Sequence, residues 1–182
     1  MRVVAGLARG RKIVSIQDAS IRPTTGTARE ALFNILGNIE GEVFCDLFSG
    51  TGAVGIEALS RRASKVIFVD NNPHAIKAIR ENVALCGFSA QSVILSEAAE
   101  VAVRRLRGGE EAFDVVFADP PYAQGALSAV LALFSEGSLI KNEGKLIVQH
   151  APYDQATPHN GALLLTDRRK YGRTVFSFYQ TS

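Results

Sequence analysis

A glycine-rich stretch and a following carboxylate are the first residues whose types and spacing could do chemistry. The stretch reads Gly50-Thr51-Gly52-Ala53-Val54-Gly55, a GxGxxG pattern, and Asp70 follows its first glycine by twenty residues. A loop of this kind holds the pyrophosphate of a dinucleotide at a helix N-terminus, and the acid binds a ribose hydroxyl. The same glycines also suit a tight strand-to-helix turn that binds nothing. The pattern therefore predicts a nucleotide-like ligand and leaves its identity open.

Asp46, four residues before Gly50, argues against a pyrophosphate. A carboxylate at the end of the strand that leads into the loop would repel phosphate and attract a cation. S-adenosylmethionine carries a sulfonium and an ammonium group and no phosphate. Asp46 near its methionyl portion and Asp70 on its ribose would satisfy both carboxylates, so the sequence favours S-adenosylmethionine over NAD.

The segment Asp-x-Phe-x-Gly-x-Gly, residues 46–52, resembles motif I of the class I S-adenosylmethionine-dependent methyltransferases. The resemblance implies a methyl-donor pocket with S-adenosylhomocysteine as product. This family places an acid after the third strand, against the adenine amino group, and Glu97 stands there, although Asp is commoner at that position. The residues expected to bind the donor are Asp46, Phe48, Gly50, Thr51, Gly52, Asp70, Asn71, Glu97 and Ala98.

A second motif, Asp119-Pro120-Pro121-Tyr122, directly follows the apolar run Phe113–Ala118. Two prolines give up two backbone donors and stiffen the loop. The motif resembles motif IV of the amino-methyltransferases, which methylate exocyclic or amide nitrogens. By that resemblance Asp119 and the Pro120 carbonyl would accept hydrogen bonds from the amine, and Tyr122 would stack on a flipped-out base, a contact worth roughly 1–3 kcal/mol. Residues 119–122 are the expected catalytic set.

The carboxylate of Asp119 also bears on which base is methylated. An ionised Asp only accepts hydrogen bonds, whereas an Asn both donates and accepts. Guanine presents N1–H beside its N2 amino group, two donors that a carboxylate can bridge. Adenine presents its N6 amino group beside N1, an acceptor that an ionised Asp faces unfavourably. Asp119 therefore favours guanine N2 as the acceptor, and the nitrogen can attack the methyl group directly.

Alternating strand and helix patterns must position these motifs. Predicted strands span residues 2–5, 12–16, 43–45, 65–69, 92–95, 113–118, 145–148, 162–165 and 174–179, and helices run between them from residue 26 onward. Such alternation implies a mostly parallel sheet with right-handed crossovers. The expected fold is therefore α/β: the Rossmann-like class I methyltransferase fold, with seven strands, a C-terminal antiparallel hairpin and a small N-terminal β-hairpin extension. Ligands bind beyond the carboxyl ends of such strands, where both motifs and Asp70 fall.

Length and composition set the broader class. The 182 residues are 47% hydrophobic and 21% charged, as in a soluble globular protein, and predict one domain, with residues 1–25 as a basic extension and 26–182 as the catalytic core. There is no membrane-length apolar run and no secretion signal, and the two cysteines have no metal-binding spacing, which predicts a metal-free cytoplasmic protein.

The basic residues are concentrated near the two ends of the chain. Residues 1–30 hold six basic and two acidic residues, and residues 167–182 hold four basic residues and one acidic residue. Two basic ends predict a polyanion-binding edge.

Three further segments make the resemblance specific. "RGRK" (9–12), "RPTTGTAREALFNIL" (22–36) and "KYGRTVFSFY" (170–179) resemble the bacterial RsmD-like family, which methylates guanine N2 in 16S ribosomal RNA, and the similarity spans nearly the whole chain. It implies action on 16S rRNA within a partly assembled small subunit. We also expect a monomer with no membrane partner. The residues expected to bind RNA are Arg9, Arg11, Lys12, Arg22, Lys170 and Arg173.

Three other functions remain open from the residues alone. An amino-methyltransferase acting on DNA adenine N6 or on protein glutamine would share both motifs, although a DNA enzyme would need a target-recognition domain. A NAD-dependent oxidoreductase would place Asp46 beside phosphate and would leave the Asp-Pro-Pro-Tyr motif unexplained. A non-catalytic RNA-binding module would need no intact donor motif, yet Asp46, Gly50 and Asp119 are all present.

Overall fold

Parallel strands alternating with helices form the larger part of the computed structural model, which describes residues 1–16, 25–109, 112–121, 124–135, 139–172 and 174–181. The strands are β1 (Val43–Leu47), β2 (Lys65–Asp70), β3 (Ser92–Ser96), β4 (Phe113–Ala118), β5 (Ile140–His150), β6 (His159–Asn160), β7 (Leu163–Tyr171) and β8 (Thr174–Thr181). The helices are α1 (Gly26–Leu36), α2 (Ala53–Ser60), α3 (Pro73–Cys86), α4 (Ala99–Arg107) and α5 (Ala126–Phe134), with a 3-10 turn at Ser89–Gln91.

One sheet contains all eight strands in the order β3-β2-β1-β4-β5-β8-β7-β6. Strands β1 to β5 pair in parallel, whereas β8 pairs antiparallel with both β5 and β7. From β1 the chain builds outward to β2 and β3, and then returns to build β4 and β5 on the other side. The carboxyl ends of β1 and β4 therefore flank the point where strand order reverses, which is where open α/β sheets bind ligands.

Helix boundaries agree closely with the local sequence signals. The Thr25 side chain accepts a hydrogen bond from the Ala28 amide and caps α1, which ends at Gly37. Asn72 caps α3 in the same way, with Pro73 at the first helical position, and the helix ends at Gly87 in the left-handed region. Helix α4 begins two residues later than predicted, at Ala99, so that Glu97 and Ala98 precede it.

The antiparallel part of the sheet is larger than predicted, and the sheet has eight strands rather than seven. The two-residue strand β6 was not predicted, and residues 166–171, predicted as the hairpin connection, form the second half of β7. Beyond Leu165, whose amide donates to the Pro158 carbonyl, β7 pairs only with β8 within the described ranges, so this part of it is an exposed edge. Charged residues suit such an edge because they discourage further strand pairing, and they also make the sequence look like a loop.

Apolar side chains cover both faces of the sheet. One face packs against α1, α2, α3 and the N-terminal segment (residues 1–16), and the other packs against α4 and α5. Strands β1, β2 and β4 are buried along nearly their whole length, as expected for parallel strands with helices on both sides. The sheet is thereby a rigid support for loops at its carboxyl edge.

The N-terminal segment folds back on itself as predicted, but its two arms pair over a shorter stretch than the predicted strands. Its two arms meet at a single antiparallel bridge between Arg2 and Lys12. Around that bridge the amides of Val3, Gly10 and Ile13 still donate to backbone carbonyls of the opposite arm. The amides of Val4 and Ala5 instead donate to the Glu57 carboxylate of α2, at 2.7 and 2.9 Å. At Val4 and Ala5, the Glu57 side chain of α2 therefore takes the place of a neighbouring strand. No helix in the described ranges has the length and apolar character needed to cross a membrane.

Candidate functional site

The loop between β1 and α2 turns sharply at the carboxyl edge of the sheet. Phe48, Gly50 and Gly52 all have positive φ angles, of 57°, 56° and 75°. Left-handed backbone is easy for glycine and unfavourable for phenylalanine, so Phe48 is held there by its surroundings. This loop is the predicted donor-binding loop, and α2 begins directly after it at Ala53.

Ser49, which sequence reasoning missed, ties this loop to the end of β2. Its hydroxyl donates to the Asp46 carbonyl at 2.5 Å and accepts from the Val69 amide at 2.9 Å. Its own amide donates to the Val69 carbonyl at 3.0 Å. The first turn of the loop is therefore fixed to both neighbouring strands.

Asp70, at the end of β2, holds the loop from the other side. One carboxylate oxygen accepts from the Gly50 amide and the other from the Asn72 amide, both at 2.8 Å. Asn71 between them is exposed at the same edge. A carboxylate has about four acceptor positions, so Asp70 retains capacity for ribose hydroxyls. Its place is that predicted for the ribose-binding acid.

Asp46 is buried behind the loop, with 1% of its surface exposed. Its Oδ2 accepts from the Gly55 amide, in the first turn of α2, at 2.9 Å. Burial raises the pKa of this carboxyl well above its usual range, and the nearby Asp119 and Asp70 carboxylates raise it further. A positive group beside it would lower the pKa again. The Asp46 carboxylate thus occupies the Gly55 amide at the start of α2, which a bound phosphate would otherwise use. A negative side chain at this place suits a cationic ligand.

Gly55 lets α2 approach the sheet closely. A Cβ at this position would lie 2.3 Å from a ring carbon of Phe68 and 2.8 Å from Val66, both in β2. This glycine is therefore required for packing of the helix, whose N-terminus borders the site.

Glu97 and Ala98 follow β3 at the same edge. Glu97 is partly exposed and forms an ion pair with Arg105 at 3.0 Å. Ala98 caps α4 with its backbone, whose carbonyl accepts from the Ala102 amide at 3.0 Å. The structure brings Asp46, Asp70 and Glu97 to the ends of three adjacent strands, β1, β2 and β3.

Asp119 lies at the end of β4, next to the donor loop. Its amide donates to the Leu47 carbonyl at 3.3 Å, and its Oδ2 accepts from the Gln149 amide nitrogen at 2.9 Å. Gln149, near the end of β5, is 4% exposed and was missed by sequence reasoning. Pro120 is buried and Pro121 exposed, whereas Tyr122 lies outside the described residues. Gln149 thus orients the carboxylate that the acceptor motif contributes.

The predicted RNA-binding residues that the structure describes are exposed. Arg9, Arg11 and Lys12 lie on the N-terminal segment, and the Arg11 guanidinium also donates to the Leu85 carbonyl near the end of α3. Lys170 lies near the end of β7, which reaches the same edge of the sheet as the end of β5, since Val175 pairs with both Lys170 and His150. Arg22 and Arg173 fall outside the described residues.

Metal binding has no support in the described ranges, where no group of three or more His, Cys, Asp or Glu side chains is placed to hold an ion. His150 is buried in β5, with Nδ1 2.9 Å from the Ala151 carbonyl and Nε2 2.8 Å from the Ser177 hydroxyl. Burial lowers the pKa of this imidazole, which favours the neutral form. His150 therefore has a structural place between β5 and β8.

Two further buried polar residues, Glu57 in α2 and Asn82 in α3, were also missed. Glu57 accepts from two backbone amides of the N-terminal segment, pairs with the buried Arg29 at 3.5 Å and accepts from Arg61 at 3.0 Å. Each of the two residues interrupts an otherwise apolar helix face, which is the sequence signal that could have found it.

Comparison with known proteins is consistent with this geometry. The model of the family described as "Conserved hypothetical protein 95" matches residues 1–180. YlbH of Bacillus subtilis is 33% identical over 99% of this chain and 98% of its own length. A Haemophilus influenzae protein named ribosomal RNA small subunit methyltransferase D is 30% identical over 99% of this chain and 93% of its own.

Among solved structures, that of the Escherichia coli protein yhhF superposes with a TM-score of 0.85, at 25% identity, over 100% of this chain and 98% of the other. Sequence and fold similarity thus both run from end to end, including the basic N-terminal segment and the terminal strands. The chain belongs to the Conserved hypothetical protein 95 family, together with relatives named as small-subunit ribosomal RNA methyltransferases.

Proposed function

We propose that this protein transfers a methyl group from S-adenosylmethionine to the exocyclic N2 of a guanine in 16S ribosomal RNA. The observation that carries the proposal is the position of Asp119: its carboxylate is held by Gln149 at the end of β4, beside the loop that follows β1. An acceptor for an amine thereby lies next to a pocket suited to a cationic nucleotide. The rRNA methyltransferase name of a relative at 30% identity supports the same substrate class.

The donor would be held by the residues at the ends of β1, β2 and β3. Asp70 and Glu97 would accept from the ribose and the adenine amino group, and the loop around Gly50 and Thr51 would line the methionyl portion. Asp46 would stabilise the positive charge from beneath the loop, through a carboxylate that already fixes the first turn of α2. The group that S-adenosylmethionine supplies is a methyl on a positively charged sulfur.

The acceptor amine would be held by Asp119 and the Pro120 carbonyl. Two hydrogen bonds from the amino group to these acceptors pull its lone pair out of conjugation with the ring and direct it at the methyl carbon. A bond forms from N2 to that carbon, the carbon–sulfur bond breaks with its electron pair on sulfur, and one proton passes from the nitrogen to water. Tyr122 would stack on the flipped base and fix its plane.

Gln149 also supports guanine as the base. Its amide group donates to Asp119 Oδ2, so the carboxylate functions as an acceptor in this site. An acceptor carboxylate can bridge N1–H and the N2 amino group of guanine, whereas it faces adenine N1 unfavourably. The same contact therefore favours guanine N2 over adenine N6.

RNA would bind along the basic surface formed by Arg9, Arg11, Lys12, Arg22, Lys170 and Arg173. Phosphate contacts of this kind position a nucleic acid without reading its sequence. We propose one domain, with residues 1–25 as the RNA-binding extension and 26–182 as the catalytic core. It would act as a cytoplasmic monomer on a partly assembled small subunit, without a metal.

The test uses small ribosomal subunits from cells lacking this protein, incubated with the purified chain and labelled S-adenosylmethionine. The products are digested to nucleosides and identified by mass spectrometry. Labelled N2-methylguanosine is the expected result. Label on another exocyclic amine would contradict the assignment of Asp119 to guanine, and no label despite donor binding would point to DNA or protein as acceptor. Binding of NAD in place of the methyl donor would contradict the proposal as a whole.

A further inference from the structure

Asn82 of α3 connects two parts of the molecule that are far apart in sequence. It is fully buried, with 0% exposure. Its Oδ1 accepts from the Val14 amide at 2.6 Å, and its Nδ2 donates to the Val14 carbonyl at 3.1 Å and to the Thr51 carbonyl at 3.0 Å. One side chain thus holds both the N-terminal segment and the donor loop.

In the donor loop, the hydrogen bond from Asn82 helps to hold the peptide unit between Thr51 and Gly52 in one orientation. The carbonyl of Thr51 bonds to Asn82, and the amide of Gly52 in the same peptide unit donates to the Ser49 carbonyl at 2.8 Å. Both polar groups of this peptide are therefore taken, which sets its orientation between Gly50 and α2. A shift of the loop on ligand binding must move or strain the bond to Asn82.

On the other side, Asn82 mimics a strand partner for Val14. It accepts from the amide and donates to the carbonyl of that one residue, two bonds that a neighbouring strand would normally make. Val14 follows Arg11 and Lys12, which are exposed and predicted to bind phosphate. Other side chains that bind this segment are Glu57 and Ser60 of α2, and Arg29 of α1, which donates to the Arg2 carbonyl.

We propose that Asn82 is a positioning residue that couples donor binding to RNA binding. The inference rests on the proposed function: the Thr51 end of the contact belongs to the donor pocket and the Val14 end to the RNA-binding segment. Ordering of either end by its ligand reduces the freedom of Asn82 and so favours the bound arrangement of the other. Coupling of this kind is reciprocal, so each ligand raises the affinity of the other by the same factor.

The experiment measures the Kd of S-adenosylhomocysteine, which cannot turn over, with and without small ribosomal subunits from cells lacking this protein. In the unmodified protein the subunits should lower this Kd by about fivefold or more, the lower end of typical coupling. In Asn82→Ala the ratio should fall below about twofold, because the link between segment and loop is removed. Ser60→Ala is the matched control. It removes two hydrogen bonds between α2 and the same segment without touching Thr51, and should keep the ratio of the unmodified protein.

Equal ratios in Asn82→Ala and the unmodified protein would overturn the inference. If Asn82→Ala does not fold, hydrogen exchange on the unmodified protein decides. S-adenosylhomocysteine should slow exchange of the Val14 amide at least threefold, and unchanged exchange would overturn the inference. Failure of the unmodified protein to bind S-adenosylhomocysteine or subunits would contradict the proposed function itself. Binding of both with a ratio of one would contradict only the coupling.

Discussion

The two sides of the site hold their carboxylates in different ways. On the donor side, Asp46 and Asp70 accept hydrogen bonds from backbone amides of the adjoining loop and of the first turn of α2. On the acceptor side, Asp119 precedes two prolines that have no amide to donate, and a side chain of the next strand, Gln149, binds it instead. The carboxylates of the donor side are therefore fixed by backbone amides, whereas the carboxylate of the acceptor side depends on a side chain that the register of β4 against β5 brings beside it.

The sharpest way to separate the two sides is Asp119→Ala. Loss of the acceptor that orients the amine should lower the rate of methyl transfer by about 10²–10³-fold or more, the usual cost of removing one precisely placed polar group. Donor affinity should stay near that of the unmodified protein, because the hydrogen bonds that hold Asp46 and Asp70 do not involve Asp119. Single-turnover kinetics and titration with S-adenosylhomocysteine measure the two effects. Loss of donor binding would mean that the two sides are not separate.

Gly55→Ala should damage the donor side through packing alone. The added methyl would lie 2.3 Å from Phe68, so the helix or the ring must move, at a cost of about 1–3 kcal/mol in stability. Thermal unfolding measures the loss. Gly26→Ala is the matched control, since a Cβ there meets nothing within 4 Å and α1 should lose no stability. Equal stability of the two variants would contradict the close approach of α2 to the sheet.

Asp46→Asn tests the electrostatics of the donor side. Burial raises the pKa of Asp46 in the folded protein above its unfolded value of about 3.9. The resulting contribution to stability is complete below the unfolded pKa and is lost as pH rises toward the folded pKa. The amide that replaces this carboxyl in the variant does not ionise, so the variant does not lose this stability as pH rises. The variant should therefore gain Tm over the unmodified protein as pH rises from 4 to 8, where about 1 kcal/mol moves Tm by roughly 2–4 °C. Its affinity for the cationic donor should fall.

If the Tm difference between Asp46→Asn and the unmodified protein does not change with pH, then ionisation of the buried Asp46 carboxyl does not lower the stability of the fold. The S-adenosylhomocysteine product, which lacks the sulfonium charge, is the informative second ligand. The variant should lose less affinity for the product than for S-adenosylmethionine.

Replacing Arg9 and Arg11 together by Ala should give the smallest effect, on RNA binding alone. Each lost phosphate contact should flatten the dependence of log K on log salt by about 0.7–0.9. Filter binding of 16S rRNA at several salt concentrations measures the slope. Arg104→Ala is the control, because Arg104 is exposed on α4, which covers the opposite face of the sheet from the N-terminal segment. An unchanged slope in the double variant would remove both residues from the interface.

Local signals predicted the parallel part of the fold well. Thr25, Asn72 and Gly87 mark their helix ends because capping is decided within a few residues. The parts of the fold that local signals did not predict involve contacts between segments that are distant in sequence. The N-terminal arms pair over a shorter stretch than predicted, since Glu57 and Asn82 take the backbone groups of Val4, Ala5 and Val14. The charged half of β7 looks like a loop until β8 pairs with it.

The same distinction applies to the candidate site. Asp46, Asp70 and Asp119 were predicted from motif spacing, and the structure places them at the ends of adjacent strands. Ser49, Gln149 and Asn82 were not, because their roles depend on which backbone or side-chain group the fold brings within reach. A polar residue on an apolar stripe, as Asn82 is beside Ile79 and Val83, is the one signal that was available in the sequence.

The position of β8 has a consequence for synthesis of the chain. This strand enters the sheet between β5 and β7, yet it is made after both. From the emergence of His150 to that of Thr181, roughly 2–6 s at typical rates of translation, β5 has no partner on that edge. An unpaired apolar strand can bind a second nascent chain. Slow translation over residues 151–181 should therefore favour aggregation on the ribosome more than slow translation elsewhere.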